Sequence, residues 1–207
     1  WLSDIISRTG LSAFLGYSNY TLVWNSDRYF SPRADFNPFL HTWFVAVIVQ
    51  FYLFFPIVYY VWLRFRKDQS VAGYVSWALL AVLGLASLGI AFLDTTANHD
   101  RAFYLLPSRF WELAAGALLF QLHSNGAFLP KSKSASRLLM AAGSLLLGAG
   151  FALADQQAFP FPWAVVPVLA TILLLCGIAG TTDRSSLVDR FLGSSVMVHV
   201  GKISYSL

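Results

Sequence analysis

Apolar residues along this chain fall into six long runs separated by short polar stretches. They lie at about Ser7 to Trp24, His41 to Leu63, Val71 to Leu93, Phe103 to Leu122, Leu138 to Leu153 and Trp163 to Ile178. Each is near the ~20 residues that cross a bilayer as a helix. In lipid the backbone must satisfy its own polar groups, which favours helices. No run alternates apolar and polar residues as a transmembrane barrel strand would. The pattern therefore predicts an all-α integral membrane protein, a bundle of about six transmembrane helices.

Proline and glycine refine the runs. Pro56 sits inside the second and is expected to kink it or be accommodated by neighbours. Pro160 and Pro162 precede the sixth, and Pro167 falls in its first turns. Gly84 and Gly89 in the third, and Gly143, Gly148 and Gly150 in the fifth, allow close helix approach. No solenoid repeat, low-complexity tract or inverted repeat stands out.

Composition agrees. Hydrophobic residues make up 57%, charged residues only 12%, and mean hydropathy is +0.61. A soluble domain carries about 25% charged residues. The net charge of +4 does not indicate a nucleic-acid partner, because the basic residues sit mainly in short loops. Under strict alternation, ten of the fourteen basic residues fall on one side: Arg8, Arg64, Arg66, Lys67, Lys131, Lys133, Arg137, Arg184, Arg190 and Lys202. The positive-inside rule then puts the N-terminus in the cytoplasm. Residues 25–40, 94–102 and 154–162 face outward. Trp24, Trp43 and Trp163 mark outer helix ends and Trp62 an inner one. No cleavable signal segment begins at Trp1, and the abrupt start is that expected of a piece of a longer protein. Cys176 is the single cysteine, which excludes an intrachain disulfide and a cysteine-based metal site. His41, His99, His123 and His199 are scattered over both sides, so no metal is expected.

Three constellations could carry chemistry. Arg109 and Glu112, the latter the only glutamate in the chain, are three apart and share a helix face. A charge deep in the bilayer costs roughly 2.5–3.5 kcal/mol, so such residues pair or face a polar cavity. The pair is either a stabilising ion pair or the wall of a substrate site. His41, at the outer mouth of the second run with Thr42 and Trp43, is either a base working near neutral pH or a hydrogen-bonded helix end. The loop Tyr29-Phe30-Ser31-Pro32, leading through Asp35 to Asn37-Pro38, mixes aromatics and hydroxyls. That suits sugar contacts and equally an ordinary interfacial loop.

Together these residues resemble the membrane-bound acyltransferase family 3, whose members O-acylate cell-surface glycans. The matching segments run in order: Ser18-Asn19, Tyr29 to Pro32, Asn37 to Trp43, Gln50 to Pro56, Phe103 to Leu113 with Gly116-Ala117-Leu118, and Gly201 to Leu207. The resemblance implies a roughly ten-helix acyltransferase fold. The 207 residues would then be one transmembrane domain, incomplete at both ends, in a bacterial inner membrane. It implies acetyl-CoA or another acyl-CoA as co-substrate and a glycan or glycolipid acceptor outside. It also implies lipid around the helices, and a fused or separate soluble hydrolase-like domain as a partner. The family's earliest helices carry an arginine and a histidine separated by ten residues, that histidine being the favoured catalytic base, and no such pair occurs in the first run here. The candidate catalytic residues are then His41 and Glu112. The candidate substrate-binding residues are Arg109, Gln50, Tyr52, Trp43 and Asn37.

One departure stands out against that family. After His-Thr-Trp it carries Ser-Leu and, two residues on, Glu-Glu. Here Phe44-Val45 and Ile48-Val49 occupy those places and form one apolar strip by helical spacing. A degenerate relative, an altered sequence, or a strip that faces lipid or another helix would each explain it. The two functions to weigh are transfer of an acetyl or short acyl group to a surface glycan, and a non-catalytic membrane carrier or scaffold. The isolated 207-residue chain is expected to transfer nothing, because it supplies hydrogen-bond donors but no convincing base. Acetyl-CoA-dependent acetylation by the purified chain would contradict this.

Overall fold

The computed structural model describes residues 2–26, 37–65, 71–124, 130, 132–155, 159–180 and 187–204. These contain ten helices and no strand. They are α1 (Leu2–Phe14), α2 (Ser18–Ser26), α3 (Thr42–Phe65), α4 (Val71–Ala97), α5 (His99–Tyr104), α6 (Leu106–Ser124), α7 (Lys133–Leu153), α8 (Val165–Ala179), α9 (Leu187–Leu192) and α10 (Ser195–Ile203). The all-helical expectation holds. Among the described residues, three helices are long and apolar enough to cross a membrane: 42–60 in α3, 77–97 in α4 and 133–153 in α7. The shorter α8 is also apolar.

Two of the six runs are interrupted, each for a local reason. The first is cut into α1 and α2 at Gly16, whose φ is +77°. Gly16 N–H bonds the Ala13 carbonyl and Tyr17 N–H the Ser12 carbonyl, a Schellman ending with glycine in the left-handed position. The fourth is cut at Leu105, between α5 and α6, where the backbone is extended. Pro107 lies in the first turn of α6. It has no N–H for the carbonyl four residues back. That carbonyl belongs to Phe103, and its neighbour on Tyr104 is likewise without a helical donor, since Ser108 N–H turns to Leu105. By contrast, α3 runs straight through Pro56 as one element.

The described chain packs as two compact units, 1–121 with 155–164, and 122–154 with 165–207. In the first, α3 meets α6 through buried Val47, Phe51 and Leu106, flanked by Trp43, Phe55, Phe110 and Leu113. Its α1–α2 part is unusually polar inside: Thr9, Ser12, Ser18 and Asn19 are all fully buried. Helix hydroxyls there bond backward, Thr9 to the Ile5 carbonyl and Ser12 to that of Thr9. Ser87 of α4 ties itself to α6, donating to the Pro107 carbonyl at 2.6 Å and accepting from Trp111 N–H at 3.0 Å.

In the second unit α7 and α8 lie antiparallel and close. A Cβ on Gly143 would stand 2.8 Å from the Ala170 carbonyl, and one on Gly177 2.9 Å from the Ser136 carbonyl. Small residues thus set the helix spacing, as in membrane bundles. Cys176 is buried in α8. Tyr29 to Pro32, Asp35, and the basic residues Arg28, Arg33, Arg66, Lys67, Lys131 and Arg184 lie outside the described residues.

Gly16→Ala would force a side chain into the left-handed region, with Val49 Cγ1 only 3.0 Å from the new Cβ. The expected loss is about 1–3 kcal/mol, read as a lowered denaturation midpoint of the detergent-solubilised protein.

Candidate functional site

The break before α6 builds the site. Arg109 stands in the first turn of α6 and turns back on the chain that precedes it. Its Nε–H donates to the freed Phe103 carbonyl at 3.0 Å. Its Nη1 donates to Glu112 Oε1 at 2.9 Å, an i,i+3 ion pair along one face of the helix. Three rings surround the guanidinium. Its Cζ lies 4.9 Å from the centre of Phe103, 4.9 Å from Phe159 and 5.5 Å from Trp43. Each such contact is worth about 0.5–2 kcal/mol, more as water is excluded. Trp43 also packs on Phe103 and edge-on to Tyr104. Arg109 is 8% exposed, whereas the Glu112 side chain is 26% exposed. The carboxylate is therefore the more accessible half of the pair.

A second polar centre joins α1–α2 to α3 and α5. Gln50 Nε2 donates to the Gly16 carbonyl at 3.0 Å and to Asn19 Oδ1 at 2.9 Å. Asn19 Nδ2 in turn donates to Gln50 Oε1 at 3.3 Å and to the Tyr104 carbonyl at 3.2 Å. Two carbonyls released by helix endings, those of Gly16 and Tyr104, are thus satisfied by one amide pair. Asn37 holds the entry to α3. Its Oδ1 accepts from Phe39 N–H at 3.0 Å and its Nδ2 donates to Thr9 Oγ1 at 2.9 Å. Thr42 Oγ1 donates to the Phe39 carbonyl at 2.6 Å and lies 2.9 Å from Ser18 Oγ.

The structure therefore groups Trp43, Arg109 and Glu112. Gln50 and Asn37 serve the neighbouring junction instead, with their amides engaged by the protein itself. His41 is exposed on the turn leading into α3. Tyr52 is 64% exposed and lies away from the row formed by Trp43, Val47 and Phe51. Of the apolar strip, Phe44 and Val45 are exposed, Ile48 is half-buried, and Val49, 36% exposed, turns its Cγ1 toward Gly16 at the α1–α2 junction. None of the four stands between α3 and the Arg109–Glu112 pair.

Three partners were not among the candidate site residues, although Asn19 and Phe103 lie in segments that match the family. Phe103 had a signal, since Pro107 frees its carbonyl within reach of Arg109. Asn19 had a weaker one, as a polar residue in an apolar run. Phe159 had none, because the contact is made only by the fold. A different face of α6 borders an apolar groove of about 370 Å³ between α3, α4 and α6, walled by residues such as Phe54, Leu83, Ile90 and Phe110. The hydroxyl of Ser87, the polar side chain on its wall, is already engaged at Pro107 and Trp111. Among the described residues no group of three or more His, Cys, Asp or Glu could hold a metal ion.

Comparison with known proteins bears on this geometry. A family model described as an acyltransferase domain matches residues 5–207. A Staphylococcus aureus (strain NCTC 8325) protein named O-acetyltransferase OatA is 25% identical over 212 residues, covering 98% of this chain and 33% of that protein. A relative from Staphylococcus aureus (strain COL) is 26% identical over 209 residues, covering 95% of this chain and 33% of its own length. An uncharacterized Haemophilus influenzae protein is 29% identical over 150 residues, covering 71% of this chain and 61% of that protein. The chain thus spans about a third of the length of the Staphylococcus aureus relatives it matches. No solved structure matches it.

Breaking the ion pair from one side should cost more than removing both charges. Arg109→Met is expected to destabilise by about 1–3 kcal/mol, a discounted value because Glu112 is partly exposed. The double variant Arg109→Met/Glu112→Met should recover at least half of that. A double-mutant cycle from denaturation midpoints checks it.

Proposed function

The chain belongs to the acyltransferase-domain family matched over residues 5–207, and from that premise we propose that it forms part of a membrane O-acyltransferase. Its reaction moves an acetyl or other short acyl group from acyl-CoA to a hydroxyl of a cell-surface polysaccharide or glycolipid. The observation that carries this reading is the Arg109–Glu112 pair, a buried cation with an accessible carboxylate where α5 and α6 meet. We read residues 1–207 as one domain of six crossings within the family's larger helical bundle. Its N-terminus is cytoplasmic and the membrane is the bacterial inner membrane. The bias of basic residues to one side supports that orientation, and the three long apolar helices support a place in the membrane.

The chemistry assigns roles. The acceptor hydroxyl oxygen attacks the thioester carbonyl carbon. A new C–O bond forms, the C–S bond breaks, and the hydroxyl proton leaves with the CoA thiol. Glu112 is placed to accept a hydrogen bond from that hydroxyl and to take up its proton. Two of the five N–H groups of Arg109 are used on Phe103 and Glu112, and the guanidinium suits negative charge developing on the carbonyl oxygen. Trp43 offers a ring beside the pair for a sugar face. His41, exposed at the mouth of α3, hydrogen-bonds the acceptor at its entry to the site. Gln50 and Asn37 act indirectly, through the position of α3, and Tyr52, on the exposed side of that helix, takes no part in the transfer.

A second reading, a non-catalytic carrier or scaffold, draws on the apolar strip, three of whose four side chains are exposed. One experiment separates the two. The full-length protein in nanodiscs, given radiolabelled acetyl-CoA and an extracted surface glycan, should transfer label. Glu112→Gln, which keeps shape but not charge, should slow it by about 10²–10⁴-fold. Unchanged transfer in this variant would remove Glu112 from the chemistry, and absence of transfer in the unaltered protein would favour the carrier.

A further inference from the structure

We propose that Phe159 is a positioning residue of this site: its ring closes the aromatic cage that fixes Arg109, and through Arg109 it sets the place of Glu112. The assignment extends the Arg109–Glu112 reading to a segment that no sequence motif connected with it.

The cage has three walls from three parts of the chain. Trp43 comes from the first turn of α3 and Phe103 from α5. Phe159 comes from the segment before α8, within the same compact unit. The Phe159 ring centre is 4.9 Å from Arg109 Cζ and 6.0 Å from the ring of Phe103. The ion pair and the Phe103 hydrogen bond engage the guanidinium through Nη1 and Nε. Its flat faces are left for rings, which attract a cation through their quadrupole and keep water away.

The segment bearing Phe159 is itself anchored. Pro160 is fully buried. Phe161 N–H donates to Thr95 Oγ1 of α4 at 3.4 Å, and the Phe161 ring meets Phe92 of α4 edge-on at 5.4 Å. Ala164 N–H closes the turn on the Pro160 carbonyl at 2.6 Å. Thr95 Oγ1 meanwhile donates to the Ala91 carbonyl at 2.6 Å. Phe159 is thus held against Arg109 from α4, independently of the chain on either side of Arg109. A guanidinium so enclosed is held on Phe103 and Glu112. Loosening the third wall lets it swing into water and leave the carboxylate.

The test reads Arg109 directly. Full-length protein in nanodiscs is treated with an arylglyoxal, which modifies accessible guanidinium groups. Modification at Arg109 is followed by mass spectrometry and normalised to exposed Arg101. Phe159→Ala should speed modification of Arg109 by about fivefold, Phe159→Leu should speed it by about twofold, and Phe159→Tyr should leave it near the starting rate. The leucine variant keeps the bulk and so guards against a simple packing defect. A rate in Phe159→Ala equal to that of the unaltered protein overturns the proposal. So does Phe159→Leu protecting Arg109 as well as phenylalanine does, since the ring would then be dispensable. In the same preparations Phe159→Leu should raise KM for the glycan acceptor about fivefold and Phe159→Tyr should restore it. The two readings fail separately. If the unaltered protein transfers no acyl group yet Arg109 reactivity follows the ring, the acyl-transfer reading falls and the cage stands.

Discussion

Pro107 has no N–H, and much of the first unit follows from that. The Phe103 carbonyl is left without a helical donor, and the extended backbone at Leu105 does the same for that of Tyr104, inside an apolar region where an unpaired carbonyl is costly. Two side chains from different places meet the need. Arg109 folds back onto Phe103, and Asn19 reaches across from α2 to Tyr104. The first draws a guanidinium into the protein, and its charge then requires Glu112 and the rings around it. The second brings Gln50 with it, because a buried asparagine amide has more hydrogen-bonding groups than one carbonyl can satisfy.

Helix α3 mediates between these two centres by presenting different sides to each. Trp43, Val47 and Phe51 recur every four residues and meet α5 and α6. Ala46 and Gln50 turn to the α1–α2 junction, where Gly16 supplies the carbonyl. The remaining side carries Phe44, Val45 and Tyr52, and is exposed. Of the apolar strip that departs from the family pattern, Phe44 and Val45 belong to that last side, whereas Val49 turns toward Gly16. Phe44 meets the Trp43 ring edge-on at 5.8 Å, so the strip touches one of the rings around Arg109.

Some of this was legible in the residues. Spacing of three predicts that Arg109 and Glu112 share a face, and they bond. Long apolar runs predict helices, and the described residues are helical. Other features were missed for identifiable reasons. Hydropathy averages over a window and so passed over the breaks at Gly16 and Leu105, which depend on one residue's φ and one missing N–H. Gln50 and Asn37 enter as candidate substrate-binding residues through the family resemblance. Their amides are in fact engaged by backbone and side chains at a junction whose demands come from α1 and α2. Phe159 was invisible, as one phenylalanine among eighteen.

The sequence by itself determined the helical class, the pairing of Arg109 with Glu112 and the family resemblance. Each rests on local periodicity or on order along the chain, and an i,i+3 contact needs nothing beyond one helix. Tertiary structure alone decided which polar groups meet across elements, which side of α3 carries the strip, and what surrounds the Arg109 cation. Those outcomes depend on how separate helices pack. A cation–π contact is set by distance and ring orientation in space, and residue spacing carries no information about either.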